Sequence, residues 1–122
     1  MQLSEGAGKY RVEATLIATD EGYILHLLGG EKPHVGAVII SQPRESLTGD
    51  GSISCTTSNL PLLGHKDDIA AKPVAEAIVK ATRQPVVAIA GIHIDNATVD
   101  DIEQLQSNIN VLTQRLLREL EG

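Results

Sequence analysis

The chain of 122 residues has no Phe, no Trp and only two Tyr, at Tyr10 and Tyr23. Its core must therefore be aliphatic, and a hydrophobic content of 42% supplies the Ile, Leu, Val and Ala to build one. The shortage of aromatics also removes the stacking platforms that hold single-stranded nucleic acid. Cations are scarce as well. Ten Lys and Arg stand against sixteen Asp and Glu, a net charge of −6, which argues against a nucleic-acid or anionic-membrane surface. The single cysteine, Cys55, excludes an intramolecular disulfide and an all-thiolate zinc site. No apolar run reaches the roughly 18 residues that a membrane-spanning helix needs. The polar, small stretch Met1 to Gly8 predicts a flexible terminus with no signal peptide and a cytoplasmic setting. No GxSxG elbow, GxGxxG turn, P-loop or HExxH helix occurs. The length fits one domain over residues 1–122.

What is present reads as an α+β order, ββββ-α-β-α. Residues 10–19 place Val12, Ala14, Leu16 and Ala18 on one face of a strand, and a short turn at Asp20-Glu21-Gly22 returns the chain through Tyr23 to Leu28 as a hairpin. The apolar runs Val35 to Ile40 and Val86 to Ala90 predict central strands buried on both faces. Ser52 to Thr57 is a weaker strand. Between Asp67 and Thr82 the period becomes helical, and Pro73 predicts that the main helix starts near Lys72, with Asp67 to Ala71 as an irregular or short helical lead-in. Thr98 and Asp101 have capping-box spacing and open a last helix of about 23 residues, roughly 35 Å long. Its stripe, Ile102, Leu105, Ile109, Leu112 and Leu116, either lies on the sheet or faces in part a second copy of the chain. Its length for so small a domain points toward a homodimer. The whole predicts a mainly antiparallel sheet with helices on one face.

Three segments concentrate polar residues where the fold gives them no clear structural task. The first is Lys32-Pro33-His34-Val35-Gly36, where a His opens a buried strand and a Gly follows inside it. The second is Gly64-His65-Lys66-Asp67-Asp68, which precedes a helix whose free N–H groups favour an anion. The third is Gly91-Ile92-His93-Ile94-Asp95-Asn96, at the exit of a central strand. Each alone reads equally as turn or strand-edge chemistry. Together they describe an anion site made of Lys66, imidazoles, backbone N–H groups and a helix start. His26, in mid-strand, lacks such company and reads as structural. The separations among the histidines match no diagnostic metal spacing.

Pro33-His34-Val35-Gly36-Ala37-Val38, Gly64-His65-Lys66-Asp67-Asp68 and Gly91-Ile92-His93-Ile94-Asp95-Asn96-Ala97 resemble the hallmarks of the LpdD-like prenylated-flavin chaperones. These are small D-type accessory proteins of hydroxyarylic acid (gallate-type) UbiD-like decarboxylases. The resemblance runs from about Tyr10 to Leu120; Lys32 stands where the family pattern has a further His, so that position adds no ligand here. The resemblance implies a dimeric fold similar to proteasome-assembly-chaperone domains. It implies a non-enzymatic protein that binds prenylated FMN (prFMN), made by a flavin prenyltransferase, and helps load or mature it in a UbiD-like decarboxylase.

On that basis His34, Gly36, Gly64, His65, Lys66, Asp67, Gly91, His93, Asp95 and Asn96 are the expected cofactor-binding residues, with no catalytic residue among them. Lys66 and the backbone of residues 64–67 would anchor the phosphate, and the three histidines would line an apolar slot. Asp95 and Asn96 would orient His93 or meet ribityl hydroxyls. Carboxylate and phosphate oxygens also suit a bridging Mg²⁺ or Mn²⁺ at Asp67 or Asp95. The alternatives are a small metal-dependent enzyme using His34, His65 and His93 with Asp67 and Asp95, or a purely structural decarboxylase subunit.

Overall fold

The computed structural model describes residues 1–61 and 68–121. Strand alternation and helical period account for most of its elements. These are β1 (Gln2–Glu5), β2 (Val12–Thr19), β3 (Gly22–Gly30), β4 (Ala37–Glu45), β5 (Ile53–Pro61), α1 (Asp68–Thr82), β6 (Val86–His93) and α2 (Val99–Glu121), with a 3₁₀ turn at Gly8–Tyr10. The strands form one six-stranded sheet in the order β1-β2-β3-β6-β4-β5. Every pairing is antiparallel except β3 with β6. The result is the expected single α+β domain with a mainly antiparallel sheet.

Both helices pack on one sheet face. Val12, Ala14 and Leu16 of β2, Leu25 and Leu27 of β3, Ile39 of β4, and Val86, Ala88 and Ala90 of β6 are buried in one cluster with Ala71, Val74, Ala75, Ile78 and Val79 of α1. Leu105, Ile109, Leu112 and Leu116 of α2 complete the same aliphatic core. The α2 stripe is therefore spent on its own sheet, and of its predicted members only Ile102 stays outside, 57% exposed.

Four expectations are corrected. Residues 1–8 are not simply a flexible terminus. Gln2–Glu5 adds an edge strand to β2, Leu3 packs against the core, and Arg115 of α2 donates to the Ser4 carbonyl at 2.6 Å and to the Glu5 carboxylate at 2.9 Å. Helix α1 begins at Asp68, not near Lys72, and carries Pro73 in its interior. Pro73 removes one i→i−4 bond close to the helix start, while burial of Ala71, Val74 and Ala75 holds the turn in place. The run Val35 to Ile40 is only partly strand, because β4 opens at Ala37. Finally, β4 and β6 are buried on one face only, since Ile40 and Val87 are solvent-exposed on the other.

The capping box expected at α2 is present. The Asp101 N–H donates to Thr98 Oγ1 at 3.1 Å and the Thr98 N–H to Asp101 Oδ2 at 3.0 Å. Asp101 is buried, yet it also accepts from the Tyr10 hydroxyl at 2.6 Å and pairs with Lys9 at 3.3 Å. The box thus ties the 3₁₀ turn to the helix start. The Thr98 N–H and the Tyr10 hydroxyl favour the charged form, so the Asp101 carboxyl titrates well below the usual carboxylate range.

Replacing Thr98→Ala should cost about 1 kcal/mol, a drop of roughly 3–6 °C in Tm for a chain of this length. Because the folded-state pKa of Asp101 is depressed, its contribution is present above the unfolded value and lost as pH falls. Thermal melts should show Tm declining below about pH 4, and Asp101→Asn should flatten that decline. A variant with the wild-type pH profile would remove Asp101 from this role.

Candidate functional site

Strands β3 and β6 run parallel, so their C-terminal ends emerge side by side, with Gly30 opposite His93. Strand β6 also lies between β3 and β4 in the sheet. The chain leaving β3 must therefore arch over the end of β6 before it descends as β4. Residues 31–36 make that arch. The Glu31 and Lys32 N–H groups both donate to the His93 carbonyl, at 2.7 and 3.3 Å, and the Gly36 N–H donates to the Ala90 carbonyl at 2.8 Å.

The arch fits only because of glycine. A Cβ on Gly91 would stand 1.4 Å from the His34 carbonyl oxygen, and one on Gly30 would stand 2.2 Å from that of His93. Gly30 also has φ of +77°, in the left-handed region. Asn96, at φ 52°, then turns the chain from β6 toward α2.

The arch brings side chains together that the sequence keeps about sixty residues apart. Lys32 Nζ lies 2.9 Å from Asp95 Oδ2 and 3.2 Å from Oδ1. His93 Nε2 donates to Asp95 Oδ1 at 2.9 Å, and the Asp95 N–H donates to Glu31 Oε1 at 3.2 Å. His34 Nδ1 donates to the Lys32 carbonyl at 2.8 Å, because a carbonyl can only accept. The His34 and His93 rings sit edge to face, 6.2 Å between centroids.

Lys32, and to a lesser degree His93, bond the Asp95 carboxylate and hold its pKa below the ordinary value; Asp95 in turn raises that of Lys32. All three side chains remain substantially exposed, so the pairing is weak and open to competition from another anion.

Beside the arch is a cleft of about 210 Å³ lined by Gly8, Arg11, Glu13, Leu28, Gly29, Gly30 and Pro33. Arg11 and Glu13 pair across it at 3.0 Å. The cleft takes Gly29, Gly30 and Pro33 from the same turn that carries Lys32 of the cluster.

Of the expected site residues, His34, Gly36, Gly91, His93 and Asp95 meet here, and Asn96 follows directly. Gly64, His65, Lys66 and Asp67 lie outside the described residues. Lys32, at the position expected to add no ligand, supplies the cluster's cation. Glu31 and Arg11 were not foreseen either; the Gly29-Gly30 pair ahead of Glu31-Lys32 was the available sign.

The start of α2 is unsuited to an anion, since Asp100 and Asp101 occupy its first turn and the capping box fills it. Among the described residues no group of three or more His, Cys, Asp or Glu could hold a metal ion. Both Asp95 oxygens are engaged by Lys32 and His93, and Asp67, the other expected metal donor, lies outside the described residues. His26 stays alone in β3, beside Thr15 and Ile89.

A family model described as the prenylated flavin chaperone LpdD-like domain matches residues 6–121. No curated protein matches the chain. Among solved structures, it is similar to a chain from a chaperone complex for yeast 20S proteasome assembly, with 18% identity, a TM-score of 0.54, and coverage of 99% of this chain and 94% of that one. At that identity the likeness shows the fold alone.

NMR titration should find the Asp95 carboxyl below the ordinary carboxylate pKa of about 3.9, and Lys32→Met should move it upward. No movement would mean that Lys32 does not hold Asp95 in solution. Gly91→Ala should cost about 1–3 kcal/mol or more through overpacking, seen as a Tm lowered by roughly 5 °C or more.

Proposed function

This chain belongs to the LpdD-like prenylated-flavin chaperone family, and from that premise we propose that it binds prenylated FMN and helps deliver or mature it in a UbiD-like decarboxylase of (hydroxy)aryl acids. It acts as a cytoplasmic carrier and not as an enzyme. Its partners are a second copy of itself, the decarboxylase, and the flavin prenyltransferase that makes the cofactor. No helix among the described residues is long and apolar enough to cross a membrane.

The observation that carries this reading is the Lys32–Asp95–His93 cluster, whose Lys32 belongs to the same turn as the cleft-lining Gly29, Gly30 and Pro33. The prenylated flavin supplies the decarboxylase's reactive centre, so the carrier has only to hold, shield and release it. A phosphate monoester carries a charge of about −1.5 to −2 at pH 7 and three acceptor oxygens. Lys32, held by an exposed carboxylate alone, can exchange that partner for phosphate.

Lys66 and the backbone of residues 64–67 add to the anchor. His93 is oriented by Asp95, so in its neutral ring Nδ1 is the acceptor, suited to an N–H on the flavin edge. His34 and His65 are the further imidazoles we assign to the flavin. Gly36 and Gly91 let the arch lie close, and Asn96 reaches the ribityl hydroxyls. The loose hold is what a carrier requires: every charged member of the described cluster is exposed, so release opens no buried ion pair.

Mixing the protein with reduced prenylated FMN under anoxia and desalting should give co-elution of flavin and protein. Lys32→Ala and Lys66→Ala should each weaken binding about tenfold or more, the scale of a charge-assisted hydrogen bond. Absence of co-elution with the fold intact would overturn the reading.

A further inference from the structure

The sheet has two edge strands, β1 and β5, and they are finished differently. An edge strand exposes unpaired N–H and C=O groups, which folded proteins blunt with short length, charge, proline or bulges. Strand β1 has four residues, ends in Glu5, and its Ser4 carbonyl accepts from Arg115. The far half of β4, beyond the end of its pairing with β6 at Ser41, holds Pro43, Arg44 and Glu45. Strand β5 is not blunted in this way. It runs nine residues, Ile53–Pro61, in unbroken register with β4. No Lys, Arg, Asp or Glu stands in it, and its proline is its last residue. Among the described residues no strand pairs with its outer edge.

Cations flank this edge. On the helix side, Glu76 of α1 accepts from the Thr57 hydroxyl at 2.6 Å and from the Cys55 thiol at 3.4 Å, so this flank of α1 stands over β5. Lys72 and Lys80 lie four residues to either side of Glu76, the step that keeps helical side chains on one face. Both are exposed. Lys9, Arg11, Lys32 and Arg115 are each committed to a carboxylate, but among the described residues Lys72 and Lys80 form no ion pair. On the other face, Arg44 donates to Thr56 Oγ1 at 3.1 Å. In a chain of net charge −6, the one long unblunted edge is bordered by cations on both faces.

We propose that the β5 edge from Ile53 to Ser58 receives an extended, acidic segment of a partner protein, which adds a seventh strand to the sheet. In such strand addition the backbone bonds supply the hold and alternate side chains supply the specificity. One face of the added strand turns toward Lys72 and Lys80 and the other toward Arg44, so carboxylates suit both. Strand β5 of a second copy brings no carboxylate to these cations, so self-pairing does not satisfy them. The docking holds whether or not the chain carries flavin.

The probe is the peptide Thr-Glu-Thr-Val-Thr-Glu-Thr, added to the full chain and followed by amide chemical shifts. The largest changes should fall at Ile53 to Ser58 and around Lys72 and Lys80. Exchanging both Glu of the probe for Lys, or combining Lys72→Gln with Lys80→Gln in the protein, should weaken binding about tenfold, the scale of two exposed ion pairs. Methylating alternate backbone nitrogens of the probe separates strand pairing from plain charge attraction. One alternating set should abolish binding and the other should leave it intact, because only every second N–H of a strand faces a given neighbour. Absence of shifts at β5, affinity indifferent to the charge of the probe, or equal affinity of the two methylated probes overturns the proposal. Concentration-dependent protection of the β5 amides in the protein alone would place a second copy on the edge and overturns it as well.

Discussion

One steric constraint organises this molecule: residues 31–36 must pass over the end of β6, and Gly91 is where they do so. The need arises from strand order, because β6 enters the sheet between β3 and β4. Any side chain at 91 would meet the His34 carbonyl. The crossing in turn fixes which polar groups meet. It lays Lys32 against Asp95 and His34 against His93, and it leaves a cleft where the arch departs from the sheet. The candidate site thus follows from topology before any side chain is chosen for chemistry.

The remainder of the fold holds that crossing steady. Two helices press on one face of the sheet through an aliphatic core, and α2 is anchored at its start by a box that also engages Tyr10. Asn108 donates to the Tyr10 carbonyl at 2.7 Å, securing the turn that carries Gly8 to the cleft. Buried contacts are concentrated on the helix side, while the cluster itself is exposed and weakly paired. That division suits a protein that keeps its shape while it gives up its ligand. This chain offers no Phe or Trp to stack on a ring, and apart from Tyr10 and Tyr23 its described surface is aliphatic, imidazole, polar or glycine backbone.

Much of this was legible in the sequence, for identifiable reasons. Alternation located the β2–β3 hairpin, and Thr98 with Asp101 announced the start of α2. The motifs around His34 and His93 marked the arch and the strand it crosses. The misreadings share a cause. A Leu among polar residues gives little local pattern, so β1 emerges only from its pairing with β2 and its contact with Arg115. Pro73 argued for a later helix start, but tertiary burial outweighed it. Lys32 was discounted because its importance depends on the parallel β3–β6 pairing, which no local pattern encodes. The runs in β4 and β6 looked buried on both sides, and the bare face shows that the second layer is not supplied by the described part of this chain.

Amide chemical-shift mapping during anoxic addition of prenylated FMN tests the central claim most directly. The account predicts the largest changes at residues 29–36 and 91–96, on the two sides of the crossing. Changes confined to the groove between the helices, around Pro73, Gln106 and Asn110, would contradict it.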